Sequence, residues 1–498
     1  MTRSQIEYDD TQGLVRFGFG ALTEACYVLA RVRSVAAARS WLHLAPVTSA
    51  VELDQAPATA LQVAFTAPGL AALGVAPSVI AGFSHEFVSG MTEPSRSRRL
   101  GDVGSDAPAQ WEWGTSTTVP HLVVMFFAKA QRLEGLMKDL MGSGWNEAFD
   151  ELQRLHTGDL EGHEPFGFRD GISQPEIDWE QSYEPLGPHV TYGNRVALGE
   201  FLLGYRNEYG KYTDRPLIDA DAASEGVPSA EDAPNKKDVG RNGTYFVLRQ
   251  LRQDVRGFWQ FIVNQAGGNF AQAEMIGAAM VGRGTNGDPL AAIQAEKIAG
   301  IEQEPEVIAR NQFTFDADAL GVRCPIGAHI RRTNPRNTDY VGRPDALKRL
   351  IAMLGFGQNG LRDDLTSSVR FHRILRRGRE YGPGLSPQDA LAPAPPGEAE
   401  RGLHFACLNA NISRQFEFLQ NAWTMNSKFS ALTGENDPLV GNRQAITGCP
   451  VTGRFTIPAS GRLRRRMSGL PPFVTVRGGA YFFLPGLRAL RYFTGAMR

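Results

Sequence analysis

What most constrains this chain is an order of elements that it runs through twice. Before residue 207, strand-like runs occur at CYVLARV (26–32), LQVAFT (61–66) and HLVVMFF (121–127). Helical spacing marks VAAARSWLHL (35–44) and AKAQRLEGLMKDLM (128–141), where Leu and Met recur at three and four residues. After residue 243 the order returns. TYFVLRQL (244–251), VRFHRILR (369–376), LHFACLNA (403–410) and GAYFFLPG (479–486) read as strands, and DVRGFWQFIVNQA (254–266) and SRQFEFLQNAWTMN (413–426) as helices. This is the β-α-β-β-α-β order of a ferredoxin-like unit, carried in two halves with long insertions in the second.

Between the halves, residues 207–243 shift to Asp, Pro, Ala, Ser, Lys and Gly, a composition that reads as an exposed connection. The expected organisation is an N-terminal ferredoxin-like domain (1–206), a polar connection (207–243) and a C-terminal ferredoxin-like domain (244–498). At 498 residues the chain is too long for one ordinary core, which agrees with that division.

The formal net charge of -1 offers no excess to attract nucleic acid or an anionic membrane. No run approaches the roughly 20 apolar residues of a spanning helix, and the polar start MTRSQIEYDD carries no visible signal peptide. Cys26, Cys324, Cys407 and Cys449 are scattered, without the spacing of a zinc ribbon, an iron-sulfur cluster or a covalent haem attachment. A cytoplasmic protein with free thiols is expected.

Three segments could carry chemistry. In CPIGAHIRRTNPR (324–336), His329 follows an irregular Pro-Gly backbone and precedes Arg331, Arg332 and Arg336. An imidazole can bind iron through one ring nitrogen while nearby cations suit carboxylates; the alternative is a basic surface turn. In EPFGFRDGISQPEIDW (164–179), glycines flank Asp170, which allows close approach of the backbone to a flat ligand but equally suits a β-turn. In RILRRGREYGPG (373–384), Arg376 ends a strand, where it can point into a cleft or lie solvated.

Other patterns are set aside. Gly355, Gly357 and Gly360 satisfy GxGxxG, yet the preceding ALKRLIAML has helical rather than strand spacing. His85-Glu86 and His163-Glu164 lack a second histidine, and RLRRR (462–466) reads as a solvated face.

Taken together, GFRDG, CPIGAHIRRTNPR, ILRRGREYG and GLHFACLNANISRQFEFLQ resemble the motif set of dye-decolourising (DyP-type) haem peroxidases, in the longer bacterial and fungal-like branch. The resemblance covers nearly the whole chain. It implies an α+β fold of two ferredoxin-like units with antiparallel sheets, related to the dimeric α+β barrels. It implies one non-covalent haem b per chain, held mainly by the C-terminal half. His329 would be the proximal iron ligand, with Asp170 the distal acid/base and Arg376 the distal arginine. Gly171, Ile172, Ser173 and Arg331 would contact the cofactor, and Leu403 and Phe405 would wall the distal pocket. Asn411 would take the place of an Asp that accepts the proximal histidine's other N–H. Tyr381 and Trp423 would be surface radical sites for bulky substrates. The implied reaction uses hydrogen peroxide to oxidise dyes, phenolics and other aromatic reductants through a ferryl haem. A haem-modifying or iron-releasing enzyme, or a haem carrier or sensor, are alternatives on the same fold; the oligomeric state stays open.

Overall fold

The computed structural model describes the chain except residues 1–4, 143, 183–192, 292–309, 337, 339–367, 445–452, 460, 462 and 496–498. Cys449 and the Gly355/Gly357/Gly360 pattern lie outside the described residues. The N-terminal half runs β1 (Glu24–Val32), α1 (Val35–Leu44), β2 (Thr59–Phe65), β3 (Leu122–Ala128), α2 (Leu133–Gly142) and β4 (Phe149–His156). In the second half, β5 (Thr244–Gln253) leads into α3 (Val255–Gln265) and α4 (Phe270–Val281), and α5 (His329–Thr333) follows. The chain then forms β6 (Leu375–Arg376), β7 (Arg379–Tyr381), β8 (Gly402–Asn409), two π-helical stretches (Ser413–Glu417 and Leu419–Thr424) and β9 (Val474–Leu484).

These strands form one antiparallel sheet in the order β6-β8-β5-β9-β2-β3-β1-β4, with β7 also paired to β8. Each half therefore has the ferredoxin-like order, and the halves join where Phe483 of β9 pairs with Phe65 of β2. The outer edges also meet. The Gly158 N–H donates to the Glu380 carbonyl at 2.7 Å, and His404 Nε2 lies 3.0 Å from the His156 carbonyl oxygen, so the sheet curls toward a barrel.

Cys26, Val28 and Ala30 of β1 pack into one apolar cluster, under α1, while Ala25, Tyr27 and Leu29 pack into another. Burial on both faces is why this strand reads as a continuous apolar run rather than an alternating one. β4 is different. Its FDELQRLH sequence is polar because much of this edge strand stays accessible, so hydrophobic patterning does not reveal it.

Two expectations need correction. The 207–243 segment is polar but not an exposed connection: Arg215 pairs with Asp238, both buried, and Arg241 bonds to Glu7 and Glu231. Its charges are matched within the fold, which composition cannot reveal. The predicted strand over 369–376 is a 3₁₀ turn at Ser368–His372 with only Leu375 and Arg376 in the sheet. Arg370 is drawn to Glu208 and the Arg195 carbonyl, and His372 stacks on Phe418; these contacts hold the turn off the ladder. No helix among the described residues is long and apolar enough to cross a membrane.

Candidate functional site

The loop carrying Asp170 is fixed from beneath. Phe166 and Phe168 are buried against Phe258 and Trp259 of α3. The half-buried Glu164 carboxylate accepts the N–H groups of Phe166 and Phe168 at 3.0 and 2.9 Å and the Gln253 amide at 2.7 Å. Burial pushes the Glu164 carboxyl up to about 7, against the pull of those donors. Gly167 and Gly171, at φ +95° and +78°, supply the left-handed turns that lift Asp170 out of the loop. A Cβ at Gly171 would meet no atom within 4 Å, so this point of the loop faces open space.

Gln174 joins this loop to β6. Its side-chain oxygen accepts the Arg376 N–H and its amide donates to the Arg376 carbonyl, both at 3.1 Å. Arg376 then reaches Asp170, Nη1 to Oδ1 at 2.7 Å, and Nη2 lies 3.4 Å from the Ser173 carbonyl. Burial alone would raise the Asp170 carboxyl, but the charge and hydrogen bond of Arg376, with help from the Gly171 N–H and His329, hold it below the ordinary value. Asp170 is thus kept ionised.

His329 opens α5. Its Nδ1 lies 2.9 Å from Oδ2 of Asp437, whose side chain is wholly buried and whose other oxygen accepts the Leu439 and Val440 N–H groups at 2.9 and 3.0 Å. Burial opposes charge on the imidazole, yet Asp437 outweighs it and raises the proton affinity of His329. In turn His329 and Arg332 hold Asp437 low against its own burial. With Nδ1 engaged, Nε2 is the nitrogen left for a ligand.

Asp170 keeps 40% of its side-chain surface accessible, and His329 and Arg376 keep 29% each, although surrounding protein opposes charge on both Asp170 and His329. Such groups line an interior space. Charges on Asp170 and Arg376 are felt at His329, so the structure gathers these sequence-predicted residues around that space. On β8, Leu403 and Phe405 are half-buried and share a face with Cys407; Arg376, paired opposite Cys407, projects from that face too. Ile172 packs near Gly287.

Asn411 does not join this group. Its side-chain oxygen accepts the Arg414 N–H at 2.8 Å, capping the helical stretch that follows, and Asp437 is the partner of His329. Arg331 points away as well. Its Nη1 donates to the Asp318 and Cys324 carbonyls and to the Asp318 carboxylate, and its guanidinium lies 4.4 Å from the Phe315 ring centre, so its donors are spent on the protein. Tyr381 and Trp423 are not at the surface, being 8% and 9% exposed. The Tyr381 hydroxyl donates to Glu400 at 2.8 Å, and Trp423 packs against His372 and Phe418. Sequence reading missed Asp437, Gln174 and Glu164. Gln174 and Glu164 flank the GFRDG motif closely enough for their spacing to have marked them, whereas Asp437 lies 108 residues beyond its partner.

No family model matches the chain. Among curated proteins it is similar to peroxidase 2 of Mycetinis scorodonius, 28% identical, over 87% of this chain and 76% of the relative. It is also similar to a dye-decolourising peroxidase of Auricularia auricula-judae, 26% identical over 98% of this chain and 87% of that one. Among solved structures, a dye-decolourising peroxidase in complex with 2,6-dimethoxyphenol aligns with a TM-score of 0.69 at 25% identity, covering 98% of this chain and 100% of that one.

Proposed function

Since the chain belongs to the dye-decolourising peroxidase family, whose members are haem enzymes, we propose that it uses hydrogen peroxide to oxidise aromatic reductants with one non-covalent haem b per chain, held through His329. The residues fit that group. His329 offers one ring nitrogen to a metal, the single protein donor that a haem iron, with its own four nitrogens, requires. The histidine's carboxylate partner suits iron ligation, because Asp437 fixes the tautomer and raises imidazole basicity. When bound, haem supplies the iron at which peroxide is reduced and the oxidising equivalents that reductants then quench.

The observation that carries this reading is the Asp170–Arg376 pair across the same space from His329. A carrier needs neither residue. Asp170, ionised through its partner, takes the proton from the inner oxygen of peroxide and delivers it to the outer one, which departs as water. Arg376 offsets the negative charge that grows as the O–O bond breaks. Peroxide added to the ferric holoprotein should change the Soret band within the mixing time; an unchanged band would support a carrier instead.

Bulky dyes would be oxidised at a distance, with the buried Tyr381 as an internal relay rather than a surface contact. An electron leaving Tyr381 is accompanied by its phenolic proton, which Glu400 is placed to accept. In Tyr381→Phe, turnover of large dyes should fall severalfold while small phenols are spared; equal losses would exclude the route. Because Asn411 caps a helix, Asn411→Asp should leave the iron reduction potential unchanged in spectroelectrochemistry, and a clear fall would restore it to the histidine's surroundings.

A further inference from the structure

The two arms of the loop that carries Asp170 are tied together. The Asp170 N–H donates to the Gly162 carbonyl at 3.0 Å, His163 pairs with Arg169, and the Glu164 N–H donates to the Phe168 carbonyl at 2.9 Å. Glu164 and Asp170 are therefore diagonal neighbours across a short hairpin, positions about 7–8 Å apart in such a pair. Two carboxyl groups this close feel each other, and the charge of Asp170 makes Glu164 harder to ionise.

Their surroundings treat them oppositely. Asp170 has the Arg376 guanidinium and is held ionised. Glu164 is met by uncharged donors, the N–H groups of Phe166, Phe168 and Gln253. Charges on the elements around it are engaged elsewhere. Asp254 accepts the Gly257 N–H at 2.9 Å, Arg256 and Arg401 donate to Glu398, and Asp389 accepts the Ser386 hydroxyl at 2.6 Å. His163 Nδ1 lies 3.3 Å from the Leu160 carbonyl oxygen, and Arg169 is exposed beside Gly287.

Gln253 adds a second observation. It is buried at the end of β5, and its amide nitrogen donates to Glu164 Oε2, while its side-chain oxygen has no donor among the described residues. Half a turn of the amide exchanges the two atoms. Gln253 can thus donate to a charged Glu164 or accept the O–H of a neutral one. In the second case Oε2 still accepts the Phe166 N–H, so the loop keeps its support.

We propose that Glu164 and Gln253 form a proton switch beneath the distal loop, with Glu164 as a positioning residue that acts through Asp170: peroxide is cleaved while Glu164 is neutral and is held back when Glu164 is charged. The proposal rests on the peroxidase reading above. A charged Glu164 tightens the hold of Asp170 on the proton it must pass to the outer oxygen, and it opposes the negative charge growing there. A neutral one does neither. Surrounding protein pushes the Glu164 carboxyl up to about 7, while Arg376 keeps Asp170 low. Below that point Asp170 is ionised and Glu164 neutral, the division of labour that a carboxyl pair with separated proton affinities allows; above it both are charged.

The test mixes peroxide with the ferric holoprotein by stopped flow from about pH 5 to about pH 9. The wild-type rate should fall about tenfold across one ionisation, as expected for neighbouring like charges, whereas Glu164→Gln, neutral throughout, should keep its acid-side rate. Infrared spectra of the same proteins give a readout independent of turnover. A protonated-carboxyl band should be lost from the wild type as pH rises through about 7 and be missing from Glu164→Gln. Asp170→Asn removes the neighbouring charge and should move the loss of that band to lower pH. Gln253→Met, which takes a hydrogen bond from the charged form, should move it to higher pH. These two variants keep Glu164 itself, so the test stands even if Glu164→Gln fails to fold. An unmoved band in both, or a Glu164→Gln rate that falls as the wild type's does, would overturn the proposal. If the wild type does not react with peroxide, the peroxidase reading fails, while the infrared titration still reports on Glu164: no protonated-carboxyl band near neutral pH sinks the switch by itself.

Discussion

Replacing Asp170 by Asn should slow the reaction of the ferric holoprotein with peroxide by about 10²–10⁴-fold, the range general acid/base groups contribute. Stopped-flow mixing checks it. The amide keeps the shape of the carboxylate and can still meet Arg376, but it cannot take the first proton. Secondary structure and haem content should stay at wild-type values, because the loop is held by Glu164, Gln174 and the buried Phe166 and Phe168 rather than by the Asp170 side chain. The pH profile gives a second reading. Since Arg376 depresses the Asp170 carboxyl against its burial, the ionised form persists on acidification, and wild-type activity should fall on the acid side only below the ordinary carboxylate range. A variant reacting within threefold or so of the wild type, well short of an acid/base contribution, would remove Asp170 from the proton path.

Asp437→Ala should weaken haem retention by about 10–100-fold and raise the iron reduction potential, since removing the hydrogen-bonded partner of a ligating histidine frees its ring and lowers its basicity. Haem transfer to an excess of apomyoglobin and spectroelectrochemistry measure the two effects. Asp437 also holds the Leu439 and Val440 N–H groups, so Asp437→Asn, which can still accept hydrogen bonds, is the companion variant. It should keep the fold and still shift the potential upward. If neither variant moves the potential, the Asp437–His329 bond has no bearing on the iron.

What the sequence makes legible follows from how local each feature is. The ferredoxin-like halves are readable because β1, β2, β3, β5 and β8 are apolar runs, whereas β4 hides behind Asp150, Glu151, Gln153 and Arg154 at a sheet edge. Asp170, His329 and Arg376 each sit in a short motif whose glycines or neighbouring arginines mark them. The residues that support these three are another matter. Asn411 precedes a helix, and a residue that caps a helix is as recurrent in sequence as one that supports a ligand, so resemblance alone misassigns it. Asp437 reaches His329 across 108 residues, and no spacing rule encodes that distance. Arg331 misleads for a related reason: a guanidinium beside a candidate ligand looks available until its carbonyl partners are seen.

The junction between Phe65 and Phe483 has a consequence for biosynthesis. β9, which joins the two halves, follows the other described strands of the sheet in sequence, so the β2 edge of the N-terminal half has no partner strand until residues 474–484 have been made. An uncovered strand edge invites pairing with a neighbouring nascent chain. The N-terminal half therefore passes through translation as its most aggregation-exposed form, and a premature stop before residue 474 would leave it so permanently.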